Sequence, residues 1–173
     1  TSVPFSGSYN GNGYKIANLN IARFESDYCG LFRSFSGTMN DVTIEKTTIY
    51  ANNTSGALIG EMKNGTIQNC TVSNNKIQGM GSNIGGLIGI MRAGTIKNCN
   101  ITTDNVTGNG YYVGGFIGEL SSGNIENCTI TGGSVSGSSF SGSSDTSFSG
   151  FSKMFNKTSI LGKPNFLSSI PPH

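Results

Sequence analysis

The cysteines are the first residues in this 173-residue chain whose spacing could support chemistry. Cys70, Cys99 and Cys128 recur every 29 residues, and Cys29 precedes them. A zinc site would need close pairs such as CxxC, which are missing here. Disulfides could form between stacked neighbours, but an odd row of parallel side chains cannot pair completely. We therefore interpret the row as buried thiols that act as small apolar residues.

The carboxylates are the second set of residues that could support chemistry. Polysaccharide cleavage needs clustered carboxylates, or a calcium site beside a basic residue. Glu61 and Glu119 share a column of the aligned sequence, but Ile90 separates them. The one histidine, His173, cannot supply an HExxH motif. The sequence therefore predicts no catalytic residue, no metal site and no cofactor, so the chain is not expected to be an enzyme.

Four similar segments must position these residues, and they recur at intervals of 28, 29 and 29 residues. They read GTMNDVTI (37–44), GTIQNCTV (65–72), GTIKNCNI (94–101) and GNIENCTI (123–130). A fixed period of this size is the mark of a repeat architecture, in which each unit packs only on its neighbours.

Aligned columns give the local structure. Ile67, Ile96 and Ile125 form one apolar column, and the cysteines form a second. A third apolar column follows two residues after the cysteines, which is the spacing of a strand with one buried face. A column of asparagines, Asn69, Asn98 and Asn127, lies between the isoleucine and cysteine columns. Asparagine tolerates left-handed backbone, so a bend with a side-chain amide ladder is predicted there.

A further strand precedes each of these segments, and it reads CGLF, GALIG, GGLIG or GGFIG. A weaker apolar column, Ile77, Val106 and Val135, follows each cysteine strand. Three short strands per repeat predict an all-β fold, a right-handed parallel β-helix of about six coils. Residues 8–21 are predicted as an abbreviated first coil, with Ile16 in the Ile67 column, and residues 150–160 as a degraded last coil.

The domain organisation follows from this count. Residues 1–161 are predicted as a single β-helix domain with a Ser/Gly-rich insertion at 136–147. Residues 162–173 contain three prolines and cannot continue the strand ladder, so they form a cap or tail. The tail carries apolar residues that have no coil of their own, Phe166, Leu167 and Ile170. We expect them to pack on a neighbouring subunit.

Composition narrows the classes of partner. The net charge of +2 is small and scattered, which argues against nucleic acid. No apolar run has the length of a membrane span, so no membrane insertion is expected. Sequons are frequent, and Asn53, Asn105 and Asn156 are the best candidate glycosylation sites because they are predicted to lie in polar connecting stretches.

The order of these elements resembles a known family. The opening FSGSYNGNGYKIANLNI, then CGLF, then repeated GGLIG and TIKNC units, resembles the GLUG-motif repeat proteins over roughly residues 5 to 135. The resemblance implies an extracellular or cell-surface, adhesin-like protein. It brings no catalytic residues.

The resulting functional hypothesis is a non-catalytic extracellular structural or adhesion module. It would assemble into a fibre through its coil ends or its C-terminal tail, with itself or a surface glycan or protein as partner. The alternative is a monomeric carbohydrate- or protein-binding spacer domain of a larger surface protein. A polysaccharide-degrading enzyme is the remote alternative.

Overall fold

A computed structural model describes residues 3–102 and 104–137, and all regular structure in these ranges is β-strand. The first coil comprises β1 (Ser8–Asn10), β2 (Lys15–Ala17), β3 (Asn20–Arg23), β4 (Tyr28–Cys29) and β5 (Phe32–Phe35). The second comprises β6 (Thr38–Asn40), β7 (Thr43–Glu45), β8 (Thr48–Ala51), β9 (Thr54–Ser55) and β10 (Ile59–Met62). The third comprises β11 (Thr66–Gln68), β12 (Thr71–Ser73), β13 (Lys76–Gly79), β14 (Ile84–Gly85) and β15 (Ile88–Met91). The fourth comprises β16 (Thr95–Lys97), β17 (Asn100–Thr102), β18 (Asn105–Gly108), β19 (Val113–Gly114) and β20 (Ile117–Leu120). The last described strands are β21 (Asn124–Glu126), β22 (Thr129–Thr131) and β23 (Ser134–Gly137).

Each strand pairs in parallel with its equivalent in the next coil, which produces five sheets along one rod. Their orders are β1-β6-β11-β16-β21, β2-β7-β12-β17-β22, β3-β8-β13-β18-β23, β4-β9-β14-β19 and β5-β10-β15-β20. The predicted all-β parallel solenoid is therefore confirmed. Among the described residues no helix could cross a membrane.

Two details of the prediction need correction. The described residues contain four complete coils and three strands of a fifth, so six coils is too many for this part of the chain. Each coil has five strands rather than three, because bends divide both the asparagine–cysteine segment and the GGLIG segment. The predicted coil at 150–160, the tail at 162–173 and most of the insertion lie outside the described residues. Ser136 and Gly137, assigned to the insertion, are the last residues of β23.

The alignment of the first coil was also wrong. Ile16 pairs with Ile44, not with the Ile67 column, and Tyr9 takes that column opposite Met39. The sequence KIANLNI resembles TIQNCTV, but the first coil has more residues between β1 and β2 than the later coils have between the equivalent strands. The aromatic Tyr9, at the start of the Met39 column, was not identified as a member of that column from the sequence.

Left-handed residues explain why the strands are so short. Asp41, Asn69, Asn98 and Asn127 each have φ between 51° and 55°, and each separates two three-residue strands. A left-handed residue changes the direction of the chain and so forms a corner between two strands. Asparagine and aspartate adopt this backbone conformation at the lowest cost after glycine. The corners bring the strands around one core.

The core consists of apolar columns that run along the rod. Met39, Ile67 and Ile96 are fully buried in one of them, and Ile44 and Val72 in the next. At the N-terminal end, Phe5, Tyr9 and Phe32 form an aromatic cluster that packs against this core. Its centroid separations are 4.9 Å for Phe5–Phe32, 5.7 Å for Phe5–Phe35 and 5.4 Å for Tyr9–Phe32.

Candidate functional site

The asparagine row lies on the corner between the first two sheets of the rod. Asn69 Nδ2 donates to Asn40 Oδ1 at 3.2 Å, and Asn98 Nδ2 donates to Asn69 Oδ1 at 3.2 Å. Asn127 Nδ2 continues the row by donating to Asn98 Oδ1 at 3.4 Å. The amides thus use one another as partners along an exposed edge. Each of these three amides therefore has a hydrogen-bond partner in the adjacent coil.

The cysteine row lies one residue further, on the inner side of the same corner. Cys70 and Cys99 have no exposed surface, whereas Cys128 is half-buried. Each Sγ lies 3.2 to 3.3 Å from the carbonyl oxygen two residues earlier, on Gln68, Lys97 and Glu126 respectively. All four cysteines are free thiols. Cys29, outside the row, is also buried.

Hydrogen bonding polarises the three thiols in the row. The Cys99 thiol bonds both neighbours, which lowers the pKa of Cys70 and of Cys128. The same contacts, chiefly that with Cys128, raise the pKa of Cys99. The backbone N–H of Cys99 also donates to Cys128 Sγ at 3.4 Å. Hydrogen bonding therefore lowers the pKa of the two outer thiols of the row and raises the pKa of the middle one.

The two glutamates considered for catalysis do not come together. Glu61 and Glu119 are in register with Ile90 between them, so two strand spacings of about 4.8 Å separate their backbones. Glu61 is buried, and its Oε1 accepts a hydrogen bond from Arg92 Nε at 2.6 Å. Glu119 accepts from Ser121 Oγ at 3.3 Å. Arg92 thus occupies one oxygen of Glu61, and the two carboxylates do not form a contacting pair.

A buried polar row was missed by sequence reasoning. Thr47 N donates to Asn75 Oδ1 at 2.7 Å, and Asn75 N donates to Asp104 Oδ1 at 2.9 Å. Asn75 Nδ2 also donates to Asp104 Oδ1 at 3.1 Å. The interval of 29 residues between Asn75 and Asp104 indicates that they occupy equivalent places in adjacent coils. Their burial was not predictable, because both lie in a polar stretch of the sequence. Burial raises the pKa of Asp104 to about 6.

This pKa predicts a pH dependence of stability. The folded state holds the Asp104 proton more tightly than the unfolded chain, so the free energy of unfolding falls as pH rises from about 4 to about 6. The shift from 3.8 to about 6 corresponds to roughly 3 kcal/mol. Asp104→Asn should remove this slope and should raise stability at neutral pH, because Asn75 already occupies the equivalent place one coil earlier.

Denaturant unfolding from pH 4 to pH 8 measures this effect, with Asp27→Asn at an exposed carboxylate as the control. Parallel pH profiles for the wild type and Asp104→Asn would contradict the assignment.

A small aromatic platform lies on the outer surface of the third sheet. The rings of Phe24 and Tyr50 stack with centroids 5.9 Å apart, and Phe24 is 56% exposed. Lys76 Nζ lies 5.5 Å from the centroid of the Tyr50 ring and 3.4 Å from its hydroxyl. Exposed aromatic rings beside polar groups are a common recognition surface.

The candidate glycosylation sites differ in environment. Asn53 lies between β8 and β9, and its Nδ2 donates to Asp27 Oδ1 at 2.9 Å. Asn105 was expected in a connecting stretch, but it is the first residue of β18, where it is exposed and its Oδ1 accepts from Ser134 Oγ at 2.8 Å. The segment was interpreted as a connection because its polar residues outnumber its apolar ones. It is instead a regular strand with one polar face. Asn156 lies outside the described residues.

Within the described residues, no three His, Cys, Asp or Glu side chains are arranged to hold a metal ion.

Comparison with known proteins gives two findings. Residues 8–158 match the family described as the right-handed β-helix region. A stretch of 75 residues, 42% of this chain, is 39% identical to Halomucin of Haloquadratum walsbyi (strain DSM 16790 / HBSQ001). The matched stretch covers 1% of that protein, so this chain corresponds to a very small part of it. No solved structure matches the chain.

Proposed function

The chain belongs to the right-handed β-helix family, and we propose that it is a non-catalytic structural and adhesive module of an extracellular protein that assembles end to end. The fold positions its buried acidic groups against fixed partners, Glu61 against Arg92 and Asp104 against Asn75. These groups maintain the rod. The outer strand positions, rich in threonine, serine and asparagine, remain for contact with other molecules.

The observation that carries this proposal is the state of the two end coils. Ile16 and Ile21 are only partly buried, whereas Ile44 and Ile49, their partners in the next coil, are fully buried. The last described strands are alike, since Ile125, Ile130 and Val135 are also partly buried.

The two ends of the described rod share three apolar columns. Tyr9, Ile16 and Ile21 begin the columns in which Ile125, Ile130 and Val135 are the last described members. A second copy stacked head to tail would continue all three columns and bury these residues. Such a contact joins two different surfaces, so it does not close and it generates a filament.

An extracellular location is part of the proposal. The similarity to Halomucin, by its name a mucin, supports it. The narrower assignment to the GLUG-motif repeat proteins also remains a proposal, supported by the order of the opening element and the repeats.

Deleting residues 162–173 tests the contribution of the tail. We expect the full chain to show a scattering mass that rises with concentration. If the tail forms part of the contact, the truncated chain should remain near the mass of one subunit, whereas stacking through the coil ends alone would leave assembly intact. Replacing Phe166, Leu167 and Ile170 with serine should have the same effect, because it removes the apolar contacts alone. Replacing Ser168 and Ser169 with alanine is the matched control.

Unchanged oligomer size after the deletion would contradict a role for the tail. Assembly that survives the deletion but is lost in Ile16→Asp would assign it to the coil ends. Assembly that survives both changes would contradict the end-to-end proposal.

A carbohydrate-binding spacer is the second candidate function, and the aromatic platform favours it. The stacked rings of Phe24 and Tyr50 offer an apolar face, and Lys76 offers a hydrogen-bond donor. Binding to a glycan array that is lost in Phe24→Ala but kept in Tyr111→Ala, another exposed aromatic residue, would support this function. Equal binding by both variants would contradict a role for the platform.

A further inference from the structure

Two basic residues lie next to each other on the side of the rod, where the strands of the fifth sheet end. Lys63 directly follows β10 and Arg92 directly follows β15, and the backbone N–H of each donates to the coil before it. They therefore occupy equivalent places in adjacent coils, one strand spacing of about 4.8 Å apart. Described coils flank this pair on both sides, with Ser36 in the equivalent place before it and Ser121 after it. The exposure of the pair thus depends on neither end of the described rod.

Glu61 orients the guanidinium of Arg92. Its Oε1 accepts from Arg92 Nε at 2.6 Å, and the Glu61 side chain is 9% exposed whereas that of Arg92 is 49% exposed. This hydrogen bond uses Nε only, so it does not involve the two terminal nitrogens of the guanidinium. Those two nitrogens form the fork that binds a carboxylate or a sulfate through two parallel hydrogen bonds. Because the buried carboxylate already restricts the arginine, a ligand that binds the fork loses less affinity to side-chain ordering.

The charges around Glu61 do not balance. Lys63 Nζ lies 3.9 Å from Glu61 Oε2, on the carboxylate oxygen that Arg92 does not use. One carboxylate is therefore shared between two cations, which leaves the three side chains with one net positive charge. A positive surface of this kind attracts and orients an anionic partner.

The residues beside the basic pair favour a polysaccharide over a peptide. Asn64 and Ser121 are exposed, and Ser36 is half-buried. Such short amide and hydroxyl side chains can exchange hydrogen bonds with sugar hydroxyl groups. A peptide would need a pocket for apolar or aromatic anchors. None of the exposed large hydrophobic residues in the described ranges lies in the turns 36–37, 63–65, 92–94 or 121–123.

From this arrangement we propose that Lys63 and Arg92 form a binding site for an acidic polysaccharide. The two terminal nitrogens of Arg92 bind one carboxylate or sulfate group of the polymer, and Lys63 contributes a second cationic contact. Glu61 is a positioning residue that holds the fork outward. The site goes beyond end-to-end assembly and does not require it, because it lies on the side of the rod. It also lies on a different sheet from the aromatic platform.

The test is fluorescence anisotropy of labelled octasaccharides with the full chain at low ionic strength. The three probes are an alginate, a sulfated dextran and a neutral dextran, all short, so that an assembled rod adds little avidity. We expect binding of the alginate, which carries carboxylates, of the sulfated dextran, or of both, and no binding of the neutral dextran. Binding of either acidic probe supports the proposal and identifies the oxyanion. The affinity should fall as salt is added, because the contact is between charges at the surface.

Substitutions of Arg92 then locate the site. Arg92→Gln should weaken binding by about tenfold or more, because a bidentate contact between charged groups is lost. Arg92→Lys keeps the charge without the fork and should weaken binding by about threefold or more. Lys46→Asn is the matched control, since it removes one exposed positive charge from another corner of the rod. Asn74 has the equivalent place in the next coil, with φ 55° against 54° for Lys46, so this variant should fold and should change the affinity by less than about twofold.

A double variant guards against loss of folding, because Arg92→Gln removes the partner of a buried carboxylate. Glu61→Ile with Arg92→Ser introduces the residue types that Ile90 and Ser121 supply at the equivalent places one coil later. It removes one charge of each sign, so the net charge stays at +2, yet it should lose binding as Arg92→Gln does. Circular dichroism establishes that the variant is folded.

The proposal is overturned if neither acidic octasaccharide binds, or if the neutral dextran binds equally well. It is equally overturned if Lys46→Asn weakens binding as much as Arg92→Gln, or if the folded double variant binds with the wild-type affinity.

Discussion

A Gly89→Val variant is expected to lose the folded rod. A Cβ at Gly89 would lie 2.6 Å from Thr54 Cγ2, 2.7 Å from the carbonyl oxygen of Gly60 and 2.7 Å from the backbone nitrogen of Ser55. The last two are backbone atoms of separate strands, so no rotation of a side chain relieves the contact. Alanine alone should cost about 3 kcal/mol, the upper range for overpacking in a core, and valine should cost more. This is a large part of the ~5–15 kcal/mol by which domains are stable.

Gly7→Ala is the matched control for this substitution. Its Cβ would meet only the ring of Phe5, at 3.1 Å, and Gly7 is exposed. We expect a change of less than about 1 kcal/mol, as for surface substitutions in general. Far-ultraviolet circular dichroism with urea unfolding measures both. A folded Gly89→Val with a wild-type unfolding midpoint would contradict the close packing of the GGLIG strands.

Asn98→Ala is expected to destabilise the rod by roughly 2–4 kcal/mol. One part is the left-handed backbone at φ 53°, which costs alanine about 1–2 kcal/mol. The other part is the loss of two amide hydrogen bonds, one donated to Asn69 and one accepted from Asn127, each contributing about 1 kcal/mol or less on an exposed edge.

Asn98→Gly separates the two contributions. Glycine adopts positive φ freely, so only the two amide contacts are lost, and we expect a cost of about 1–2 kcal/mol. Urea unfolding of the two variants beside the wild type gives the comparison. Equal free energies of unfolding for Asn98→Gly and Asn98→Ala would show that the left-handed backbone at this corner costs alanine nothing. A free energy of unfolding for Asn98→Gly equal to that of the wild type would contradict an energetic contribution from the amide row.

Periodicity made most of the fold predictable. The repeated columns of Ile67, Cys70 and Val72 specify which residues face inward and which corner each asparagine occupies, because a parallel solenoid repeats the same environment every coil. The pairing of Thr66 with Thr95 and of Ile67 with Ile96 follows directly from the 29-residue interval. The bend at the asparagine column was also predictable, whereas the division of the GGLIG segment into two strands, Ile84–Gly85 and Ile88–Met91, was not.

Features that depend on the ends or on single residues were not predictable in this way. Tyr9 replaces an aliphatic residue at the start of a column, so letter similarity placed Ile16 one column away from its true partner. Asp104 looks like an ordinary polar residue in its segment, and only its contact with Asn75 in the preceding coil accounts for its burial.

The most direct test of end-to-end assembly is light scattering of the wild-type chain over a concentration series, with negative-stain images of the same samples. Assembly through continued columns predicts rods of constant width whose length increases with concentration, because each added copy repeats the same contact. A monodisperse particle near 18.1 kDa at every concentration would contradict it.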